Sequence, residues 1–414
     1  MNSKQVFSSA AAALLLLVAS VLASCTNTED TFQSAGNGKG IKVFDFSTIQ
    51  RVELDVILGQ RATGDVICLF PSYVTAETMH ERTDMLYSCY LDSHGSTRRI
   101  ISLPASLSKV YLISATNPSL GCMEATVHDG VLQYIDGTLD VRNNARAKAP
   151  SVTSASAQYE EDWHILATYA FEDLWPIHCD YDLNDVIVEH WQKMVFTNQN
   201  IVRAIYDVFK LTSTKAAASY HDAFYVQIPA NQKNCDIVKY ILDEENGKFV
   251  PGEVLAKGKE ECIELDTRSL IVFEDQHDMF ERGIEGIYIV RTMSGNNVSK
   301  DDVEYNPFVI SQASVNRGVG RTEIHLPCYE VTQYSQKLDE IEGHELNYFA
   351  NRFVSERGVY PFALALYGLK DWKAPNPSVR INETFIYYDK WRKSNGQDFK
   401  DWYINLPGYD ARLN

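Results

Sequence analysis

Apolar and polar positions alternate in short runs from Ile41 to about Asp140. Val52, Leu54 and Val56 alternate with Glu53 and Asp55, and Phe44 and Phe46 with Asp45 and Ser47. A period of two predicts strands with one buried face. Asp65 to Phe70 is an apolar run stopped by Pro71, and Arg99–Leu103 and Lys109–Ser114 are two more, split by Pro104-Ala105-Ser106. His128-Asp129-Gly130, set between Ala125–Val127 and Val131–Ile135, predicts a hairpin. This spacing predicts a small β-sandwich over residues 41–140. Residues 141–161 turn to Asn, Ala, Ser, Pro and charge, as a linker does. The strand pattern resumes at Asp162, and 162–414 is expected to be a larger β-sandwich or jelly-roll-like domain. Its strands fall near 186–188, 202–211, 224–228, 237–242, 263–265, 270–273, 287–290, 323–326 and 362–366. One short C-terminal helix is predicted, with Asn382 as cap, Glu383 in the first turn, Phe385, Tyr388 and Trp391 on one face, and Gly396 as stop. The fold class is mainly β.

The start of the chain changes the picture. Lys4 precedes the uncharged apolar run Ala10–Leu22, and Leu22-Ala23-Ser24-Cys25 follows. That is the pattern of a secretion signal over residues 1–24, with small residues before a Cys that accepts lipid. Lipidation of Cys25 would hold the protein at a membrane without spanning it. Residues 25–40, rich in Ser, Gly and Asn, read as a flexible tether. Glu29-Asp30 fits an export tag to the cell surface as well as it fits a solvated linker. The expectation is an outer-membrane lipoprotein facing outwards.

The composition is 45% apolar with a net charge of −17, and losing Lys4 with the signal makes the mature chain more acidic still. Such a charge disfavours nucleic acid and favours cations. Once Cys25 is lipidated, Cys68, Cys89, Cys122, Cys179, Cys235, Cys262 and Cys328 remain, with no CxxC, no zinc spacing and no evident disulfide framework.

The candidate chemistry sits in Ala170–Asp185. Glu172, Asp173, Asp180, Asp182, Asn184 and Asp185 place six carboxylate or carboxamide side chains within fourteen residues. In extended backbone, Asp180, Asp182 and Asn184 would point the same way, offering the oxygen ligands that Ca²⁺ takes, with Glu172 or Asp173 completing the shell. The loop is not an EF-hand, since Asp185 stands where Gly is required and Trp191 where a bidentate Glu is required. The competing reading is a β-turn in which Asx side chains bond backbone N–H groups. Both stay open at the level of sequence.

The segments "AFEDLWP" and "DYDLNDVIVEHW" resemble the signature of the LruC-type domain, found in lipoproteins and secreted proteins of Gram-negative bacteria. "TEIHLP" at Thr322–Pro327, "YPFALAL" at Tyr360–Leu366, "INETFIYYDKWRKSNG" and "DWY" at Asp401–Tyr403 extend the likeness. "FDFSTIQRVELDV" and "ISLPASLSKVYLISA" carry it into the N-terminal half. The resemblance implies a two-part β architecture and an envelope location, and it carries no activity. Cys179 stands where the family pattern has Gly, and Pro375-Asn376-Pro377-Ser378 lacks an expected acid.

Two functions follow. One is a non-catalytic surface module for adhesion, binding or structure, stabilised by Ca²⁺ and taking an extracellular glycan or protein as partner. The other is a glycan-active or polysaccharide-binding protein that uses the acidic carboxylates, with Trp163, Trp175 and Trp191 stacking on sugars. No G-x-S-x-G or P-loop pattern is present. The first is favoured, because the second has no motif that fixes a mechanism.

Overall fold

The computed structural model describes residues 44–136, 157–176, 179–213, 220–243, 248–295, 297–327, 329–336, 353–355 and 358–404. The signal segment, Cys25, the tether, and residues 141–156 of the expected linker lie outside them. The described residues from Phe46 onward form one compact unit. The fold is mainly β.

The first seven strands are β1 (Ile49–Ile57), β2 (Val66–Phe70), β3 (Tyr87–Tyr90), β4 (Ser96–Pro104), β5 (Lys109–Ser114), β6 (Met123–His128) and β7 (Val131–Ile135). They pair in the order β3-β2-β5-β6-β7-β1-β4. The sheet folds over on itself. Val52, Leu54 and Val56 from β1 share one core with Ile67 and Leu69 from β2 and Cys89 from β3. The expected hairpin forms between β6 and β7, with Asp129 at φ 48° and Gly130 at φ 76°. Positive φ at both central residues suits the twist of the flanking strands.

Twelve more strands follow: β8 (Gln158–Glu160), β9 (His164–Phe171), β10 (Val186–Thr197), β11 (Val202–Leu211), β12 (Ala223–Gln227), β13 (Cys235–Asp243), β14 (Lys248–Ala256), β15 (Leu270–Phe273), β16 (Gly286–Met293), β17 (Asn306–Ile310), β18 (Glu323–His325) and β19 (Ala363–Tyr367). Strands β14-β13-β16-β11-β10-β9-β19 form one sheet, with β8 also paired to β10, and β15-β12-β17-β18 form another. The two sheets meet through Phe224 of β12, whose ring lies 6.4 Å from Tyr169, 6.1 Å from Phe171 and 5.8 Å from Phe209. Beside this apolar contact lies a closed polar network. Asp207 accepts from His190 Nε2 (2.9 Å), Tyr305 Oη (2.7 Å) and Arg291 Nη2 (2.9 Å), and Asp207 and Arg291 are each 1% exposed. The N-terminal strands are tied in by Glu161, which accepts from Ser88 Oγ (2.7 Å) and Lys300 Nζ (2.6 Å).

Besides single 3-10 turns, the described residues hold five short α-helices: α1 (Gly258–Arg268), α2 (Gln276–Arg282), α3 (Gln312–Asn316), α4 (Ile381–Thr384) and α5 (Tyr388–Lys393). Several expectations need correction. Ile263–Leu265 belongs to α1 rather than to a strand. The single C-terminal helix is two, and Asn382 is not its cap: the N-cap position is Arg380, while Asn382 Oδ1 accepts from Tyr360 Oη at 3.1 Å. Phe44 and Phe46 precede β1 and form no strand, and β8 occupies part of the segment read as linker.

Candidate cation site

The acidic segment leaves β9 at Phe171 and re-enters the sheet as β10 at Val186. Its backbone is not extended. Tyr181 and Leu183 both take left-handed φ, at 57° and 54°. The expected alternation is therefore lost, and Asp180 is exposed while Asp182 and Asn184 are 2% and 3% exposed. Two of the expected residues, Glu172 and Asp180, come together with Cys179. One oxygen each of Glu172 and Asp180 and the Cys179 sulfur lie within 4.8 Å of one another.

Backbone groups hold the carboxylates in place. Glu172 Oε1 accepts from Leu183 N at 2.5 Å. Asp185 Oδ2 accepts from Asp173 N at 3.0 Å. Asp182 accepts from Asn184 N at 3.3 Å and from Ser378 N at 2.8 Å, and Asn184 Nδ2 donates to Pro375 O at 3.0 Å. Pro375 and Ser378 thus supply main-chain groups to the loop. Ser311 Oγ donates to Asp173 O, and Ser314 Oγ donates to Trp175 O at 3.3 Å.

Asp222, at the head of β12, joins the cluster from 37 residues beyond Asp185. It is fully buried, accepts from Gln312 N at 2.8 Å and faces Asp173. Nothing in the local sequence around Asp222 marks it, because the sheet packing brings it there.

The charges in this cluster are poorly compensated. Burial first, then Asp182 nearby, raises Glu172 to about 8. Burial, then Asp180, raises Asp182 to about 7. Burial lifts Asp173 to about 6, against a hydrogen bond from Asp185. Asp185 and Asp222 are pushed well above the carboxylate range by burial, then by Glu172 and by Asp173 respectively. Two oxygens, Glu172 Oε2 and Asp173 Oδ2, are buried with no hydrogen-bond partner among the described residues. Burial, then the Glu172 carboxylate, pushes the Cys179 thiol far up, so with no metal bound it stays protonated. The other donors are oxygens, which fit a hard cation such as Ca²⁺.

The tryptophans named as sugar platforms divide. Trp175 is core, 3% exposed, with its ring 5.2 Å from Phe353. Trp163 and Trp191 are half-buried under Lys193 and Lys210, and Trp191 Nε1 donates to Glu189 at 2.9 Å.

Residues 205–403 match the profile of a domain of unknown function, DUF4842. The match opens within β11, so the acidic loop precedes it, while Asp222, Ser311, Pro375 and Ser378 lie inside it. The chain is also similar to a solved protein of Bacteroides ovatus described as a proposed lipoprotein. The TM-score is 0.50 at 14% identity, over 85% of this chain and 99% of that one. At that identity the likeness is one of fold. No curated protein matches the chain.

Proposed function

We propose that the protein is exported, lipidated at Cys25 and carried on the outer membrane as a surface-exposed, non-catalytic binding or structural module of the LruC type, its acidic loop closed on Ca²⁺. The observation that carries the reading is that Glu172 and Asp180 bring carboxylate oxygens within 4.8 Å of each other, with Glu172 Oε2 and Asp173 Oδ2 buried and unpartnered beside them, and with Asp182, Asp185 and Asp222 near enough to add to the negative field. Buried charge without a counter-charge is costly, and a divalent cation offsets it directly. Glu172 and Asp180 would supply ligand oxygens to the ion, and Asp173, Asp182, Asp185 and Asp222 would strengthen the field that draws it in. Of the carboxylates a glycosidase would draft, Glu172, Asp173 and Asp185, the first two are buried, which weighs against hydrolysis of a polysaccharide. The anchor reading rests on Leu22–Cys25 and agrees with what the similar Bacteroides ovatus protein is called.

Two measurements test it. Thermal unfolding in Ca²⁺ should show a higher midpoint than in chelator, and Asp180→Ala with Asp182→Ala should abolish the rise. An unchanged midpoint, with the double variant folding normally, would sink the cation site. Metabolic labelling with a radiolabelled fatty acid should mark the wild type and not Cys25→Ser. Equal labelling of the two would remove the anchor.

A further inference from the structure

Strand β13 and helix α1 bring two cysteines together away from the acidic loop. The Sγ atoms of Cys235 and Cys262 lie 3.6 Å apart. Cys235 is fully buried and Cys262 is 2% exposed. Each sulfur otherwise meets only carbonyl oxygen in the hydrogen bonds it makes, Cys235 at Gln232 O (3.2 Å) and Cys262 at Cys235 O (2.9 Å). Helix α1 is thinly held: among its described side chains only Cys262 and Leu265 are buried, and Ile263 is 43% exposed. A two-residue apolar contact is little to fix an eleven-residue helix.

We propose that Cys235 and Cys262 close a disulfide that staples α1 to β13 once the chain meets an oxidant; that it does so in the cell rests on the export reading above. The sulfurs need to approach by about 1.5 Å to reach bonding distance, within the range of small side-chain rotations. The oxidant is a protein disulfide of the thiol oxidoreductases that serve exported chains. One cysteine thiolate attacks it, forming a mixed disulfide and releasing one thiolate. The second cysteine then attacks the mixed disulfide and releases the other. Two electrons pass to the oxidant's sulfurs, and the two protons end on its thiols. Burial, then the neighbouring Cys262, pushes the Cys235 thiol up to about 12. Exchange therefore takes place before α1 docks, while the thiols are still in water.

The test uses the full chain expressed with its leader in a Gram-negative host. The protein is alkylated with iodoacetamide in denaturant without reductant, then digested for mass spectrometry. The expected result is a linked peptide pair carrying Cys235 and Cys262, lighter by two hydrogens than the reduced pair. Cys68, Cys89, Cys122 and Cys179 should be alkylated. Reductant should lower the melting midpoint by ~4 °C, as loss of a loop closure of this length implies. A parallel sample, made inside the cell and refolded with oxidised and reduced glutathione, separates the two readings. A link there, with both cysteines alkylated in the exported sample, supports the pairing and overturns export. Two alkylated cysteines in both samples, or a link from Cys235 or Cys262 to any other cysteine of the chain, overturns the pairing.

Discussion

Replacing Glu172 with Gln separates a cation site from a structural turn by the sign of its effect. A Gln carbonyl can still accept from Leu183 N, so the turn geometry survives. What changes is charge. Burial, then Asp182, holds Glu172 at about 8 against an ordinary 4.5. Between those values the folded chain binds a proton that the unfolded chain has released, so stability falls as pH rises through this window. At pH 7 the penalty is on the order of 3 kcal/mol for this fully buried group. Gln removes it. In chelator the variant should therefore melt higher than the wild type, by ~3–4 °C for a chain of this length. The advantage should disappear below pH 4.5, where both states hold the proton, and be largest above pH 8. Calcium at a hundredfold over its dissociation constant should stabilise the wild type by about 2.7 kcal/mol and the variant by much less. Calorimetric melts of both proteins, with Ca²⁺ and with chelator, check this. A variant that is less stable in chelator and keeps the full Ca²⁺ response would refute the reasoning and leave the loop a structural turn.

Three further perturbations probe the scaffold. Asp207→Ala strands the buried Arg291 guanidinium and should cost about 3–5 kcal/mol in urea unfolding, part of which Arg291→Met should restore in the double variant. Glu323 is held down to about 2: burial alone would raise it, but hydrogen bonds from His325 and Thr332 outweigh burial. Its contribution, about 3 kcal/mol, is present above pH 4.5 and lost as pH falls towards 2, so acid-unfolding curves of wild type and Glu323→Gln should converge there. Gly95→Ala would put a Cβ 1.8 Å from Gly59 O at φ +67°, and should lower stability by more than about 2 kcal/mol in the same urea assay.

Local features were legible in the sequence, and non-local ones were not. The Asp129-Gly130 hairpin and β1 could be read because turn chemistry and a period of two act within a few residues. Strand β9 escaped, since His164–Phe171 is buried on both faces and so shows no alternation. Ile263–Leu265 misled because three residues cannot separate period two from period 3.6. Glu260 and Glu261, in the first turn of α1, were the better signal there. At the site, Glu172, Asp173, Asp182, Asn184 and Asp185 stood out by proximity along the chain. Asp222, Ser311 and the main-chain groups of Pro375 and Ser378 did not, because sheet packing alone brings them to the loop. Left-handed φ at Tyr181 and Leu183 is equally silent, as neither residue type favours it.

The position of the loop explains why its charge state matters beyond its own residues. Asp173 O holds the cap residue of α3 through Ser311, and Asp222 fixes the start of the same helix through Gln312 N. Tyr181 O accepts from Ile381 N at 2.9 Å, at the first residue of α4. From there the chain enters an aromatic cluster in which Trp402 lies 5.4 Å from Phe385, 5.0 Å from Tyr388 and 5.1 Å from Trp391. Repulsion among the carboxylates therefore works against three attachments at once: the end of β9, the start of β12 with α3, and the C-terminal helices. Neutralising them, by protons or by a cation, draws the same three together. A cation bound there would need only modest affinity to matter, since a dissociation constant on the order of 10⁻⁴–10⁻³ M already stabilises the fold once the ion exceeds that concentration. The exposed Asp180 is the carboxylate through which such an ion would enter, and the buried oxygens of Glu172 and Asp173 are what would retain it.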